Sequence, residues 1–411
     1  MTIDVLLTIF ANKYIVIMKH AEWIHPKTIT GPPAEGDSYI RRPNLNKEFW
    51  REIEKGSHIL FIAPRRVGKT SVMKDLVKNP PEGYNCIFEN VESDKSLQEF
   101  FKRLYFLVLN RLSLVGKTRA NIERWLKGRG IEEITFEGGV RFKEKELEYK
   151  IELLLLIQKL PDLDQKVVLF LDEFPEVISA IRRKEGDENA IEVLHTIREI
   201  RQKKEFNNCI FVLAGSIGLE HVIESLDRVK LINDLHPIRI EALSQEEAIQ
   251  LITQLTLTAT VKYSPDFIVQ LLARIEHLIP YFIQLMIEEI DRVLHNQNRQ
   301  KPEVDDISTA FESIVKKNTN LKDWKDRLNP PYIALDEASF SNKILTILSR
   351  QDTIAIQEIY NEVQLLTVPG KYMNIVTMLI RDGYIIEKQD GVYRYTSPLL
   401  QAWWKKQHPI N

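Results

Sequence analysis

The chain has few cysteines, no long uninterrupted apolar run and almost no net charge. Its two cysteines, Cys86 and Cys209, lie in separate apolar stretches, which excludes a disulfide framework and favours a reducing, cytoplasmic compartment. Lysine plus arginine (56) nearly balances aspartate plus glutamate (58), so no global field draws the molecule to nucleic acid or acidic lipid. Residues 1–18 are apolar but interrupted by charges and lack a signal-peptide pattern, so we expect a packed or frayed extension and no membrane contact.

The length of 411 residues, with 44% hydrophobic and 28% charged residues, is typical of a globular protein with two or three domains. Five short apolar runs alternate with helical segments in the first half, at 58–62, 86–88, 167–171, 209–213 and 238–240. Such runs are typical of a parallel sheet covered by helices on both faces. We therefore predict an α/β domain over 39–242, with a hairpin insertion at 128–142. It follows an N-terminal extension, 1–38, whose Gly31-Pro32-Pro33 stretch is typical of a linker.

The segment Ala63-Pro64-Arg65-Arg66-Val67-Gly68-Lys69-Thr70 lies between a predicted strand and a predicted helix. Such a loop wraps a triphosphate, because its backbone N–H groups and the helix N-terminus face phosphate oxygens. We expect Lys69 to reach the β- and γ-phosphates, Thr70 to place its hydroxyl on Mg²⁺, and Gly68 to turn where a Cβ would clash. The predicted nucleotide-binding residues of this segment are Pro64, Arg65, Arg66, Val67, Gly68, Lys69, Thr70 and Ser71.

A second motif follows about a hundred residues later, where Asp172 and Glu173 come directly after the apolar run 167–171. We assign Asp172, with Thr70, to the Mg²⁺ shell. Glu173 would orient and polarise the attacking water, a role that binding alone does not require. The two motifs together predict a Mg²⁺-dependent ATPase that converts ATP and water to ADP and phosphate.

Two further catalytic residues are predicted from their positions along the chain. Ser216 follows the run 209–213 and could sense the γ-phosphate, although a serine in an ordinary turn fits nearly as well. Arg228 lies before the next strand, where ring-forming ATPases often carry an arginine that reaches a neighbouring subunit's site. A solvated surface arginine is the simpler alternative. Adenine is the expected base, because the [Asn/Thr]-Lys-x-Asp element of guanine-selective P-loop proteins does not occur.

From Ser244 onward the pattern becomes helical. Ser244 begins a capping box, Ser264-Pro265 and Pro280 begin two more helices, and 304–315 is a fourth. These segments predict an all-α lid over 243–325.

A third unit follows the Pro330-Pro331 break. Its predicted helices, at 341–349, 354–363 and 372–382, precede two short β runs around Asp390-Gly391, which is a hairpin signal. Three helices and a hairpin describe a winged helix, over 326–411. The predicted fold class is therefore an α/β P-loop NTPase, with a parallel sheet flanked by helices, followed by an all-α lid and a C-terminal winged-helix domain.

The order of these motifs resembles that of AAA-type ATPases of the archaeal-ATPase group, in the STAND class of P-loop NTPases, which are related to replication-initiator ATPases. The resemblance rests on APRRVGKTS, VVLFLDEF and LAGS, followed by a lid and a winged helix, and covers about residues 39–407. It implies that Arg42 lies near the adenine and that Pro280 stands in the lid's nucleotide-contacting signature. It also implies a nucleotide-driven switch partnered with DNA or an effector module.

The predicted winged helix leaves the partner open. DNA-binding examples place the third helix, here 371–377, in the major groove, and Lys388 and Arg394 would lie in the wing. From residue 340 onward, eight Lys/Arg stand against six Asp/Glu, a small excess for phosphate contacts, so duplex DNA and packing on the ATPase or a protein partner fit equally. A basic cluster at 198–204 is more typical of a solvated helix face.

Three roles are consistent with the sequence. The first is an ATPase whose hydrolysis resets a switch. The second is a winged-helix DNA-binding protein that holds ATP structurally. The third is a scaffold in which ATP sets the state of a homo-oligomer.

Overall fold

In the computed structural model, the described residues are 22–113, 116–128, 148–215, 219–224, 226–317, 321–329, 334–364 and 372–409. The predicted hairpin insertion at 128–142 lies outside them, apart from Gly128 at the end of a helix. Among the described residues, no helix combines the length and the apolar character needed to cross a membrane.

Five parallel strands form the central sheet, in the spatial order β2-β3-β4-β1-β5. They are β1 (Ile59–Ile62), β2 (Tyr84–Asn90), β3 (Lys166–Asp172), β4 (Cys209–Ala214) and β5 (His236–Arg239). All five predicted strands are present, and the predicted parallel α/β sheet is confirmed. Because β4 pairs with both β1 and β3, the carboxyl ends of β1, β4 and β3 lie side by side at one edge of the sheet.

Successive residues of each central strand point to opposite faces of the sheet, and helices bury both faces. Leu169 and Leu171 of β3 belong to one apolar core, whereas Val168 and Phe170 belong to the other, and all four are fully buried. This two-sided burial explains why the strands are apolar throughout. The flanking helices are α1 (Pro43–Glu54), α2 (Lys69–Lys78), α3 (Leu97–Ser113), α4 (Gly116–Gly128), α5 (Tyr149–Gln158), α6 (Phe174–Glu185), α7 (Asp187–Gln202) and α8 (Leu219–Glu224).

The next helices are α9 (Gln245–Thr256), α10 (Pro265–Ile275), α11 (Pro280–Asn296), α12 (Val304–Lys316) and α13 (Lys322–Asp326). The predicted capping box is present: Ser244 Oγ accepts from the Glu247 amide while the Glu247 carboxylate accepts from the Ser244 amide. Ser264 caps α10 through the Phe267 amide, with Pro265 at the first helical position. Local capping chemistry therefore sets where these helices begin.

The C-terminal part contains α14 (Leu335–Leu348), α15 (Ile356–Gln364), α16 (Tyr372–Arg381) and α17 (Pro398–Gln407), with strands β6 (Ile354–Ala355), β7 (Ile385–Gln389) and β8 (Val392–Tyr395). The helix predicted from residue 354 begins two residues later, because Ile354 and Ala355 pair with β8 as a third antiparallel strand. These elements share one continuous apolar core with α9–α13.

Candidate functional site

The loop between β1 and α2 makes its turn with two residues of positive φ. Gly68 has a φ of 96° and Arg66 a φ of 62°. The expected clash at Gly68 is wrong: a Cβ built there would meet no atom within 4 Å. Glycine is favoured at this position by the left-handed backbone alone, since L side chains rarely adopt that φ. The turn leaves Lys69 and Thr70 at the N-terminus of α2.

Lys69, Thr70 and Asp172 meet at the shared edge of the sheet. Thr70 Oγ1 donates to Asp172 Oδ2 over 2.6 Å, and Lys69 Nζ lies 3.0 Å from Asp172 Oδ1. The Asp172 side chain is only 1% exposed. A buried carboxylate needs such a cation and hydroxyl to compensate for its lost hydration. The structure thus brings Lys69 and Thr70 together with Asp172, which lies 102 positions after Thr70 in the sequence.

Glu173 follows in a strained conformation. It lies between β3 and α6 with a φ of 58°, and its amide donates to Asp172 Oδ1 over 3.0 Å. Its carboxylate is 3.6 Å from Lys69 Nζ. Strained non-glycine residues persist only where the surrounding structure holds them, and they concentrate at functional sites.

A cavity of about 250 Å³ opens in front of the loop, and we call it the front cavity. Its floor is the phosphate-binding loop from residue 63 to 71, except that Val67 is not among the lining residues. Val67 is instead fully buried in the core on one face of the sheet. Glu173 and Gly215 line the front cavity beside the strand ends, and Pro280, Tyr281 and Gln284 close it from α11. Pro280, the proline that the resemblance places in the lid's nucleotide-contacting signature, therefore lines the front cavity.

A wall of the front cavity comes from residues 29–34, within the segment 22–38 that we call the strap. The strap is anchored on the lid: the Ile29 amide donates to Gln284 Oε1 over 2.7 Å, and the Lys27 amide donates to the Leu255 carbonyl over 3.0 Å. Glu35 pairs with Lys74 of α2 at 2.7 Å. The Gly31-Pro32-Pro33 stretch, which the sequence analysis treated as a linker, is therefore built into the site.

Arg42 lies behind the loop. Its guanidinium donates to the Val67 carbonyl over 3.2 Å and to the Glu241 carbonyl over 2.7 Å, and the residue is buried. It is not among the residues that line the front cavity. In this arrangement Arg42 braces the loop by linking the Val67 carbonyl to the Glu241 carbonyl.

The two arginines of the loop face the C-terminal half of the chain. Arg66 pairs with Asp323 at 2.7 Å and lies over the Tyr281 ring, 4.7 Å from its centroid. The Arg65 guanidinium lies 5.9 Å from the centroid of the Trp324 ring, and its amide donates to the Asp382 carbonyl over 3.4 Å. The phosphate-binding loop thus contacts three separate parts of the C-terminal half.

Arg327 is a site residue that the sequence analysis missed. It follows α13, lines the front cavity and places Nη1 3.0 Å from Glu176 Oε1 on α6. Burial raises the pKa of Glu176 to about 6, with the Arg327 guanidinium opposing this rise and the Glu173 carboxylate adding to it. No local motif marks Arg327, because its place at the front cavity depends on a contact with Glu176 of α6, which is distant in the sequence.

The two remaining predicted catalytic residues are placed differently. Ser216 lies outside the described residues, next to Gly215, which lines the front cavity. Its strand does lie beside β3, as expected. Arg228 is exposed, donates to the Asp227 carbonyl over 3.0 Å and is not among the residues that line the front cavity.

Several basic residues considered for nucleic acid have partners within the chain. Arg394 of β8 pairs with Glu276 at 2.5 Å, and Lys406 donates to the Lys316 carbonyl over 3.2 Å. In the cluster at 198–204, the side chain of Arg201 is buried and pairs with Asp234 at 2.8 Å, which corrects the expected solvated face at that residue. These contacts reduce the charge available to phosphate groups.

Comparisons with known proteins extend this picture. No known family model matches the sequence, and no curated protein matches it. Among solved structures, the Walker-type ATPase paby2304 of Pyrococcus abyssi is 13% identical, with a TM-score of 0.61 over 92% of this chain and 99% of that one. The ORC2 protein of Aeropyrum pernix, in ADPNP–ADP complexes, is also 13% identical, with a TM-score of 0.52 over 92% of this chain and 94% of that one.

This chain has the fold of a P-loop NTPase. The predicted fold class is confirmed in its parallel sheet and flanking helices. Both similar structures cover nearly all of this chain, so the likeness extends beyond the sheet into the helical C-terminal half. At 13% identity the likeness establishes the fold alone.

Proposed function

We propose that this P-loop NTPase binds ATP with Mg²⁺ in the front cavity and hydrolyses it. The observation that carries the proposal is the cluster in which Thr70 Oγ1 and Lys69 Nζ both contact the Asp172 carboxylate. It lies where the loop ends at Gly68, a residue of positive φ, and α2 begins. This is the set of groups that phosphate and a hard divalent cation require. The Walker-type ATPase and the ADPNP–ADP complexes among similar structures support the same ligand.

The donor set suits Mg²⁺. A hydroxyl and a carboxylate are hard oxygen ligands, and magnesium in such sites keeps most of its shell as water and substrate phosphate oxygen. Thr70 and Asp172 would hold it, with their oxygens already 2.6 Å apart. When bound, the cation neutralises charge on the phosphate oxygens.

The protein's own groups would then divide the work. Lys69, now on Asp172, would turn to the β- and γ-phosphate oxygens, which are stronger partners in a cavity partly shielded from water. Glu173 would accept a hydrogen bond from the attacking water and orient it. Arg327 would leave Glu176 for a phosphate oxygen and add a positive charge from the C-terminal half. Arg228, which is exposed, would act only on a neighbouring copy.

The contacts of the loop with Asp323, Trp324 and Asp382 support a switch. Because these contacts hold the loop from the C-terminal half, a change in phosphate occupancy would change the fit between the two halves. This fits an AAA-type ATPase of the STAND class with a C-terminal winged helix. Duplex DNA is a weaker candidate partner, since Arg394 and Lys406 are engaged within the chain.

The test is ATP binding and turnover by the full chain with Mg²⁺, with and without duplex DNA. Lys69→Ala is expected to lose nucleotide affinity, and Glu173→Gln to keep affinity but lose turnover by about 10² or more. Lys47→Ala, which removes an exposed lysine of α1 that does not line the front cavity, is the control and should behave as wild type. Glu173→Gln turnover equal to wild type would remove Glu173 from catalysis, and ATP affinity unaffected by Lys69→Ala would remove the site altogether. Stimulation by DNA would establish the alternative partner.

A further inference from the structure

A second concave site lies next to the phosphate-binding loop and shares Pro64 with the front cavity. This rear cleft, of about 460 Å³, is larger than the front cavity by the same measure. It is enclosed by the end of β1 and Pro64, by residues 239–242 after β5, by His277, and by α16 with the strands that follow it. Lys69, Asp172 and Glu173, which form the charged cluster of the front cavity, do not line the rear cleft.

The walls of the rear cleft are mainly apolar. Six lining residues are aliphatic or proline: Ile62, Pro64, Ile240, Ala242, Ile380 and Ile386. They come from both halves of the chain, and a volume of this size is typical of clefts that hold a small organic molecule. Burying an apolar body against such walls is favourable because it removes apolar surface from water.

The polar groups of the cleft favour an anion. Arg239 and Arg381 supply two guanidinium groups, of which Arg381 also lies 3.5 Å from Asp382 Oδ1. Glu241 is the one acidic lining residue, and it is exposed. Burial lowers the pKa of His277, and the Arg394 guanidinium lowers it further, so this lining histidine is neutral at neutral pH and does not add charge. The guanidinium groups offer the bidentate donors that carboxylate and sulfonate groups accept.

An unsatisfied hydroxyl is the second, independent sign of a ligand. Thr396 lines the rear cleft and is 1% exposed, and its Oγ1 has no hydrogen-bond partner among the residues that the structure describes. A buried polar group without a partner is destabilising. The hydroxyl oxygen itself is buried, so an occupant of the cleft would satisfy it only after a change of the Thr396 rotamer.

We propose that the rear cleft binds a small organic anion whose body is apolar and whose carboxylate, sulfonate or phosphate is held by Arg239 and Arg381. The proposal does not depend on ATP hydrolysis. It has a consequence for the front cavity, however, because Pro64 lines both sites. An occupant that presses on Pro64 would shift the affinity of the loop for its own ligand, and the coupling would be reciprocal.

The experiment uses anilinonaphthalene sulfonate, an aromatic anion of this class, and isothermal titration calorimetry on the full chain. Thr377→Trp would fill the cleft from an exposed position on α16, and Met373→Trp, on the same helix but outside the cleft, is the matched control. Arg239→Ala removes one anion-binding group at an exposed position. Thermal unfolding of each variant verifies that it is folded.

Wild type and Met373→Trp should bind one probe molecule with equal affinity. Thr377→Trp should weaken binding at least tenfold, and Arg239→Ala about tenfold. Lys69→Ala should bind the probe as wild type does, which separates this site from the front cavity even if ATP is not a ligand. The proposal is overturned by absence of saturable binding to wild type, by wild-type affinity in Thr377→Trp, or by loss of the probe in Lys69→Ala.

Discussion

Gly383 packs directly on Pro64 of the phosphate-binding loop: a Cβ at residue 383 would lie 2.9 Å from Pro64 Cβ. Next to this contact, the Arg65 amide donates to the Asp382 carbonyl. The turn between α16 and β7 therefore packs against the Pro64 side chain at a distance that leaves no room for a Cβ at residue 383. Movement of the C-terminal part away from the sheet would have to break this contact first.

Gly383→Ala is expected to destabilise the protein and to alter nucleotide affinity, because it combines a steric overlap with a φ of 81°. Gly186→Ala is the control, since Gly186 has a φ of 93° but nothing within 4 Å of its Cβ position. Backbone strain of about 1–2 kcal/mol is common to both variants. Urea unfolding and nucleotide titration should show a further loss, and a change in affinity, only in Gly383→Ala. Equal effects would mean that the contact with Pro64 has no energetic role.

Arg42→Ala should weaken nucleotide binding without removing any group that lines the front cavity. The variant leaves the Val67 and Glu241 carbonyls without their charged donor, so we expect a stability loss of about 1.5–3 kcal/mol and a loosened loop. Arg41→Ala, which removes an exposed arginine paired with Asp75, is the neighbouring control. The measurements are the unfolding free energy and the ATP dissociation constant. A stable Arg42→Ala protein with normal stability and affinity would contradict the bracing role.

Arg327→Ala is expected to reduce affinity for ATP more than affinity for ADP, because its proposed partner is the terminal phosphate. The Kd for ADP divided by the Kd for ATP should fall about tenfold, which corresponds to the loss of one charge-assisted hydrogen bond to ATP. Lys322→Ala removes an exposed cation from α13, the helix that precedes Arg327, and should leave the ratio unchanged. If Arg327→Ala lost affinity for ATP and for ADP equally, Arg327 would not contact the terminal phosphate.

Glu176 should make the stability of the protein depend on pH between about 4.5 and 6. Burial raises its pKa from 4.5 to about 6, so the folded state binds the proton more tightly than the unfolded chain does. The resulting stabilisation is complete below pH 4.5 and is lost as the pH rises through 6, by about 2 kcal/mol in total. Urea unfolding of wild type and Glu176→Gln at pH 4.5, 5.5 and 7 should show this loss only in wild type. If the unfolding free energies of wild type and Glu176→Gln changed with pH in parallel, Glu176 would not be the source of the pH dependence.

Features that depend on local chemistry were predictable from the sequence. The five strands follow from short apolar runs, the helix starts at Gln245 and Pro265 from their serine caps, and the loop before Lys69 from its glycine and flanking elements. The meeting of Thr70 with Asp172 was also predictable, since parallel strands bring their carboxyl ends to one edge.

Features that depend on distant packing were not predictable. Arg327 reaches the site only because α13 docks beside Glu176, 151 residues away. The resemblance assigned Arg42 to the adenine, but no sequence pattern indicated that its guanidinium donates to the Val67 carbonyl of the loop. The two-residue strand β6 has too few residues to produce a pattern of its own and exists only by pairing with β8.

The strap limits how far the chain can be shortened from its N-terminus without changing the front cavity. The glycine and prolines around residue 31 suggest a site for truncation, and a fragment that started at Tyr39 would keep both the loop before Lys69 and the Asp172-Glu173 pair. It would nevertheless lack the wall formed by residues 29–34 and the Glu35 anchor on Lys74. Such a fragment could fold, carry every diagnostic motif and still fail in a nucleotide assay, and the failure would be a property of the cloning boundary.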